Sequence, residues 1–160
     1  MLFGLGLGSS LGDREGNLQL AVACLCAHPG MRLGRVSRIY ETPALQNLAH
    51  GRFLNAAISI DWEDSPAELL RWVKRCEERI GRVRSSRWGD RLIDIDLLWW
   101  EGEPIVEEHL QVPHPGLLNR NFAIWPLLEV IPWAGGPSGV PYGQRLGDLR
   151  APSAIGVLAG

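Results

Sequence analysis

Asp94 and Asp96 stand one residue apart in the run Ile93 to Trp100, whose other members are all apolar. In an extended strand, residues two apart share a face and lie roughly 7 Å from one another, at about 3.3 Å rise per residue. Two carboxylates so placed repel and resist ionising together unless a cation sits between them. Hard oxygen ligands at that spacing suit Mg²⁺, which completes its shell from phosphate oxygens and water. The alternative is a solvated strand face. Leu98 and Trp100 continue the same alternation, so this face is not simply wet.

Just upstream lies a loop bearing Arg82, Arg84, Arg87 and Arg91. Guanidinium groups present planar forks of donors that match phosphate oxygens. Between Arg71 and Arg91 there are eight basic residues against three acids (Glu77, Glu78 and Asp90), in a chain whose formal net charge is −2. Lys74 is the only lysine, so the preference for arginine carries little by itself. Acids placed for a metal beside arginines placed for phosphate are the two halves of a nucleotide triphosphate site, and together they favour phosphoryl chemistry. The glycines from Gly4 to Gly12 do not supply an alternative: they fit G-x-G-x-x-G in no register, and no G-K-[ST] follows. They permit a tight turn and close approach of a ligand or backbone.

Aromatic side chains form a third group. Trp88 stands among arginines and glycine in a loop, Phe53 opens a run two residues before Asn55, and Phe122 lies in a helical stretch. A flat heterocycle can stack on such rings while Asn55 and Thr42 bond its edge.

These residues need a frame. Leu2 to Leu7 alternates apolar residues with glycine and reads as a strand, and Gly8 to Asp13 reads as a turn. Leu18, Val22 and Leu25 recur at helical spacing until His28-Pro29-Gly30. Val36 to Thr42 reads as a strand, 44–52 as a loop, and Phe53 to Trp62 as a strand with Phe53, Asn55, Ala57 and Ser59 on one face. The next helix has the clearest signals. Ser65 is its cap, Pro66 its first residue and Glu68 the partner in a capping box; Leu69, Val73, Cys76 and Ile80 form its apolar stripe, and Gly81 ends it. A strand from Ile93 to Trp100, with Ile93, Ile95, Leu97 and Trp99 on one side, precedes a third helix from Asn119 to about Glu129. The order β-α-β-β-α-β is the ferredoxin-like arrangement, an α+β antiparallel sheet with helices packed on it.

Composition sets the outer bounds. A hydrophobic fraction of 46% in 160 residues supports one compact core and argues against disorder. Cys24, Cys26 and Cys76 form no C-x-x-C pair and are expected as buried reduced thiols on helix faces. The four histidines show no zinc spacing. Without a cationic leader or a long apolar run, a cytoplasmic protein is the expectation.

Taken together, the segments Gly8-Ser9-Ser10-Leu11-Gly12-Asp13, Tyr40-Glu41-Thr42-Pro43, Phe53-Leu54-Asn55-Ala56, Gly81-Arg82-Val83-Arg84, Arg87-Trp88-Gly89-Asp90-Arg91, Asp94-Ile95-Asp96 and Val112-Pro113-His114-Pro115 resemble the 6-hydroxymethyl-7,8-dihydropterin pyrophosphokinase family. The resemblance implies one ferredoxin-like domain over 1–160, with the motifs in about 1–132 and residues 133–160 as a closing tail. It implies transfer of diphosphate from ATP to the pterin with release of AMP, in folate biosynthesis. By position, Asp94 and Asp96 would hold two Mg²⁺ ions, and Phe53 and Phe122 would sandwich the pterin. Thr42, Pro43, Leu45 and Asn55 would line its edge. Glu77, Arg84, Arg87, His114 and Arg120 would serve ATP, while Arg82 and Arg91 steady developing charge and Trp88 closes over the substrates with its loop. Ser10 stands where the family usually has Asn, and Asp90 where it has Pro. The expected partners are ATP and the pterin, with no nucleic acid and no membrane, in a monomeric enzyme. Two rivals compete: an RNA-binding ferredoxin-like module using the basic segment and Trp88, and a catalytically inactive pterin-binding relative.

Overall fold

The computed structural model describes residues 1–42, 52–81, 92–146 and 152–158. In chain order the elements are β1 (Leu2–Ser9), α1 (Arg14–Cys26), β2 (Met31–Val36), β3 (Arg38–Thr42), β4 (Phe53–Trp62), α2 (Pro66–Ile80), β5 (Asp94–Trp100), the short β6 (Ile105–Val106) and β7 (Gln111–Val112), a 3-10 turn (Leu117–Asn119), α3 (Asn121–Val130), α4 (Tyr142–Leu146) and β8 (Ala154–Val157). The main sheet runs β5-β1-β4-β3-β8, with β2 also on β4, and every pairing is antiparallel. With β2 and β3 counted as one interrupted strand, β1 to β5 follow the β-α-β-β-α-β order read from the sequence.

Strand β1 lies between β4 and β5, and its alternation explains the layering. Phe3, Leu5 and Leu7 are buried on the face covered by α1 and α2, with Leu18, Leu25, Ile58, Ile60, Leu69 and Val73. Gly4, Gly6 and Gly8 point to the other face. There Ala57, Leu98, Trp99, Ile124, Leu127, Val130 and Ile131 make a second cluster under α3. A Cβ at Gly4 would collide with the Leu127 Cδ1 methyl, so the missing side chain lets α3 seat on the sheet. Leu127 is fully buried. Leu127→Ala is therefore expected to cost about 2–5 kcal/mol, read as a lower urea midpoint at unchanged slope.

Helix α2 spans the predicted residues. Ser65 accepts from the Glu68 N–H at 3.2 Å, and Gly81 closes the helix at φ 89°. The capping box is only half formed. The Ser65 N–H donates to Asp64 Oδ1 at 2.7 Å, and the Glu68 carboxylate pairs with Arg71 instead. An adjacent aspartate and a nearby guanidinium outcompete the reciprocal bond.

Four other expectations are corrected. Gly8 and Ser9 belong to β1 rather than to a turn. The predicted Val36–Thr42 strand is broken at Ser37 and preceded by β2, which the sequence reading missed. Ser37 Oγ accepts from Ala57 N–H at 2.8 Å and Ser59 Oγ accepts from Arg35 N–H at 2.7 Å, so two buried hydroxyls replace ladder bonds and shift the register. Trp99 does not share a side with Ile93, Ile95 and Leu97. A bulge opposite Gly4/Leu5 turns Leu98 and Trp99 to the α3 face and returns Trp100 to stack on Phe3 at 5.4 Å. The third helix begins at Asn121, with Asn119 in the preceding 3-10 turn. The C-terminal stretch has a structural role the sequence did not disclose. Tyr142 and Leu146 of α4 are buried in the second cluster, Gly135 O accepts from Trp99 Nε1 at 2.8 Å, and β8 extends the sheet beyond β3.

The three cysteines are free thiols on the facing helices α1 and α2, as expected, but only Cys76 is buried, Cys24 and Cys26 being partly exposed. Burial pushes the Cys26 and Cys76 thiols above their ordinary range. Among the described residues no helix is long and apolar enough to cross a membrane.

Candidate active site

One row of residues crosses three strands. Asp94 on β5 is paired with Gly8 on β1, and Gly8 is paired in turn with Asn55 on β4. The next row is Asp96, Gly6 and Ala57. Directly opposed residues of an antiparallel pair project to the same face. Asp94, Asp96 and Asn55 therefore stand on the α3 side, with Gly8 contributing no side chain between Asp94 and Asn55, while the Leu98 side chain packs over Gly6 within 3.0 Å of where a Cβ would lie. An ideal Cβ at Gly8 would lie 3.3 Å from Asn55 Oδ1, which shows how near the two come.

At the far side of the row, Asn55 Nδ2 donates to Thr42 Oγ1 at 2.9 Å. This bond fixes the amide orientation of a side chain that is 8% exposed. Thr42 is paired with Phe53, which is half-buried, so the three residues expected around the heterocycle adjoin at one corner of the sheet. The last turn of α3 sits over Gly4 and beside Arg38, to which Glu129 is bonded. Arg120 and Phe122 stand at the opposite end of that helix, with the Arg120 guanidinium 5.9 Å from the Phe122 ring centre.

His114 is tied to the acidic strand through its backbone: its N–H donates to Leu98 O at 2.9 Å, two residues beyond Asp96. Its Nδ1 accepts from Gly116 N–H at 3.1 Å, which leaves the proton of the neutral ring on Nε2. Burial, and then the Arg120 charge, hold its pKa below the ordinary histidine value, against an opposing pull from Asp94. The ring is thus a neutral donor near pH 7, close to both charged residues.

Glu77, expected to face the nucleotide, is 1% exposed. Its Oε2 accepts from the Ile95 N–H at 3.0 Å, and Lys74 Nζ lies 3.4 Å from Oε1. Arg82, Arg84, Arg87, Trp88 and Arg91 fall outside the described residues, as do Pro43 and Leu45.

Two polar networks escaped the sequence reading. Asn17 of α1 is buried and donates to Ser9 Oγ at 3.2 Å and Leu11 O at 2.9 Å, while Ser9 Oγ donates to Leu92 O at 2.5 Å. The end of β1 is thereby joined to the residues leading into Asp94. A signal was present, since an asparagine beside Leu18, in line with Ala21 and Leu25, interrupts an apolar stripe. The second network is Arg14, whose guanidinium bonds Glu41 Oε2 at 3.0 Å and Arg52 O at 2.6 Å. It joins the ends of β3 and β4 that flank residues 43–51. Nothing local announces it, because its members are far apart in sequence.

Among the described residues no three His, Cys, Asp or Glu side chains cluster to hold a metal alone. A pair of carboxylates on one face supplies part of an octahedral shell. That fits Mg²⁺, which is usually held by one or two carboxylates together with phosphate oxygens.

Comparisons with known proteins show which family the chain falls in. The family pattern of 7,8-dihydro-6-hydroxymethylpterin-pyrophosphokinase (HPPK) matches residues 4–132. A 2-amino-4-hydroxy-6-hydroxymethyldihydropteridine pyrophosphokinase of Methylorubrum extorquens is 44% identical over 128 residues, covering 80% of this chain and 81% of that one. The Bacillus subtilis protein of the same name is 41% identical over 126 residues, covering 79% and 75%. Among solved structures, Plasmodium falciparum HPPK-DHPS superposes with a TM-score of 0.61 at 14% identity, over 85% of this chain and 42% of that longer one. That last likeness speaks to the fold alone. A pattern match over most of the chain, with relatives of similar length above 40% identity, places this protein in the 7,8-dihydro-6-hydroxymethylpterin-pyrophosphokinase family.

Proposed function

We propose that this protein transfers the β,γ-diphosphate of ATP to the hydroxymethyl group of 6-hydroxymethyl-7,8-dihydropterin, releasing AMP, as a cytoplasmic step of folate biosynthesis. The observation that carries the reading is the row Asp94–Gly8–Asn55. It sets a group suited to a metal–polyphosphate beside a group suited to a heterocycle edge, with a glycine as the residue between them in the row. The pterin hydroxyl oxygen bonds to the β-phosphorus while the bridge to the α-phosphate breaks; AMP departs with the bridging oxygen, and the hydroxyl proton is lost to solvent. The work of the chain is positioning and charge neutralisation rather than strong base catalysis.

In this reading Asn55 and Thr42 hold the heterocycle edge, with Pro43 and Leu45 beside them, and Phe53 and Phe122 flank its plane. Asp94 and Asp96 are the residues to hold Mg²⁺, two ions by the family's pattern. When bound, Mg²⁺ offsets the triphosphate charge. His114 donates from Nε2 and Arg120 adds a cation, with Arg84 and Arg87 as further nucleotide ligands. Arg82, Arg91 and Trp88 complete the catalytic set.

The deciding assay mixes protein, ATP, Mg²⁺ and the reduced pterin and separates the nucleotides. AMP as the sole nucleotide product is expected. ADP would make the protein an ordinary kinase, and pterin binding without AMP would make it an inactive relative.

A further inference from the structure

A carboxylate buried to 1% exposure is an expensive way to fill space, because removing a charge from water costs several kcal/mol unless it is well bonded. Glu77 sits in the apolar interior of α2, in line with Leu69, Val73 and Cys76, where an aliphatic side chain would pack without that cost. What it does there is specific. Its Oε2 receives the N–H of Ile95, the residue between Asp94 and Asp96. Among the described residues, strand β5 is at the edge of the main sheet, with β1 as its one strand neighbour there. Backbone groups alternate along a strand. Asp94 and Asp96 accordingly turn theirs toward β1, and Ile95 turns its own away from it, to a side where the main sheet has no further strand among the described residues.

We infer that Glu77 is a positioning residue for the acidic pair: it substitutes for a neighbouring strand at the midpoint of β5 and so sets the spacing and direction of the Asp94 and Asp96 carboxylates. This deepens the proposed function, since it rests on reading that pair as the metal-holding one. Three features support a role in geometry rather than in contact with the nucleotide. The acid is enclosed, one oxygen receives a backbone donor at 3.0 Å, and the other faces Lys74, which is itself 55% exposed at the surface. Without an acceptor the Ile95 N–H would be left buried and unpaired, Ile95 itself being 3% exposed. The edge strand would then relax toward whatever partner it can find. Residues behind metal ligands typically change metal affinity by about 10–100-fold when removed.

The test compares Glu77→Ala and Glu77→Gln with the unaltered protein by two readouts that do not depend on turnover. One is Mn²⁺ affinity in the presence of a non-hydrolysable ATP analogue, from electron paramagnetic resonance. The other is hydrogen exchange of the Ile95 amide by NMR. Alanine is expected to weaken Mn²⁺ binding about 10–100-fold and to speed Ile95 exchange. Glutamine retains an acceptor of the same shape and is expected to restore both. If alanine leaves Mn²⁺ affinity unchanged, or if glutamine is as damaging as alanine, the positioning role is overturned. Should the alanine protein not fold, Glu77→Met, of similar volume and without the acceptor, takes its place. Asp96→Asn in the same titration separates the two levels. Retained Mn²⁺ binding there would remove the metal reading itself, whereas its loss beside an unaffected Glu77→Ala would remove only the inference about Glu77.

Discussion

Asp96→Asn is expected to lower turnover by about a thousandfold or more while leaving the protein folded. Removing a metal ligand forfeits several kcal/mol of charge stabilisation, and each 1.36 kcal/mol is about tenfold in rate. Asp96 is half-buried on β5 opposite Gly6, and asparagine keeps its shape, so the melting temperature is expected to move by only about 2–4 °C, the equivalent of about 1 kcal/mol in a chain of this size. The comparison is to be made at saturating nucleotide across a Mg²⁺ titration. If the variant regains near-normal turnover at high Mg²⁺, the pair is not the metal site and the proposed chemistry loses its electrostatic basis.

Gly8→Val is expected to be nearly as damaging to activity while leaving the protein folded. Gly8 is an interior β1 residue whose neighbours across the strands are Asp94 and Asn55. It has no positive φ, so a β-branched residue suits its backbone, and strand propensity favours valine over glycine. The added Cβ would come within 3.3 Å of Asn55 Oδ1, requiring a shift of a few tenths of an ångström, and two methyls would rise above it. They would occupy the place where the heterocycle and the polyphosphate are proposed to meet. A fall in kcat/KM for the pterin of about a hundredfold, close to 3 kcal/mol, is expected in a protein that still unfolds cooperatively, with a cost in stability of no more than about 1–3 kcal/mol. Activity within a few-fold of the unaltered protein would show that the substrates do not meet over Gly8.

Both predictions depend on features that were unequally visible in the amino-acid order. The i, i+2 relation of Asp94 and Asp96 was readable because strand alternation is a local property. So was α2, where Ser65, Pro66 and Gly81 act on the turns they adjoin. Phe53–Trp62 was read to its ends for the same reason. The bulge that turns Trp99 away from Leu97 was not readable, because its cause lies in how β5 meets β1 at Gly4 and Leu5. Nor was the break at Ser37, which depends on hydroxyls placed against β4.

The site divides along the same line. Residue types and spacing by themselves determined the class of chemistry: paired strand acids, an arginine-rich loop, and aromatics beside Asn55 and Thr42. Only the tertiary structure decided that Gly8 is the shared floor between the acids and the amide, that Asn17 joins β1 to the approach to Asp94, and that Glu77 faces the backbone of β5. The physical reason is range. Periodicity and capping arise between residues within one or two turns or one strand. Cross-strand registers and buried hydrogen bonds are settled between segments tens of residues apart, once hydrophobic burial has brought them together.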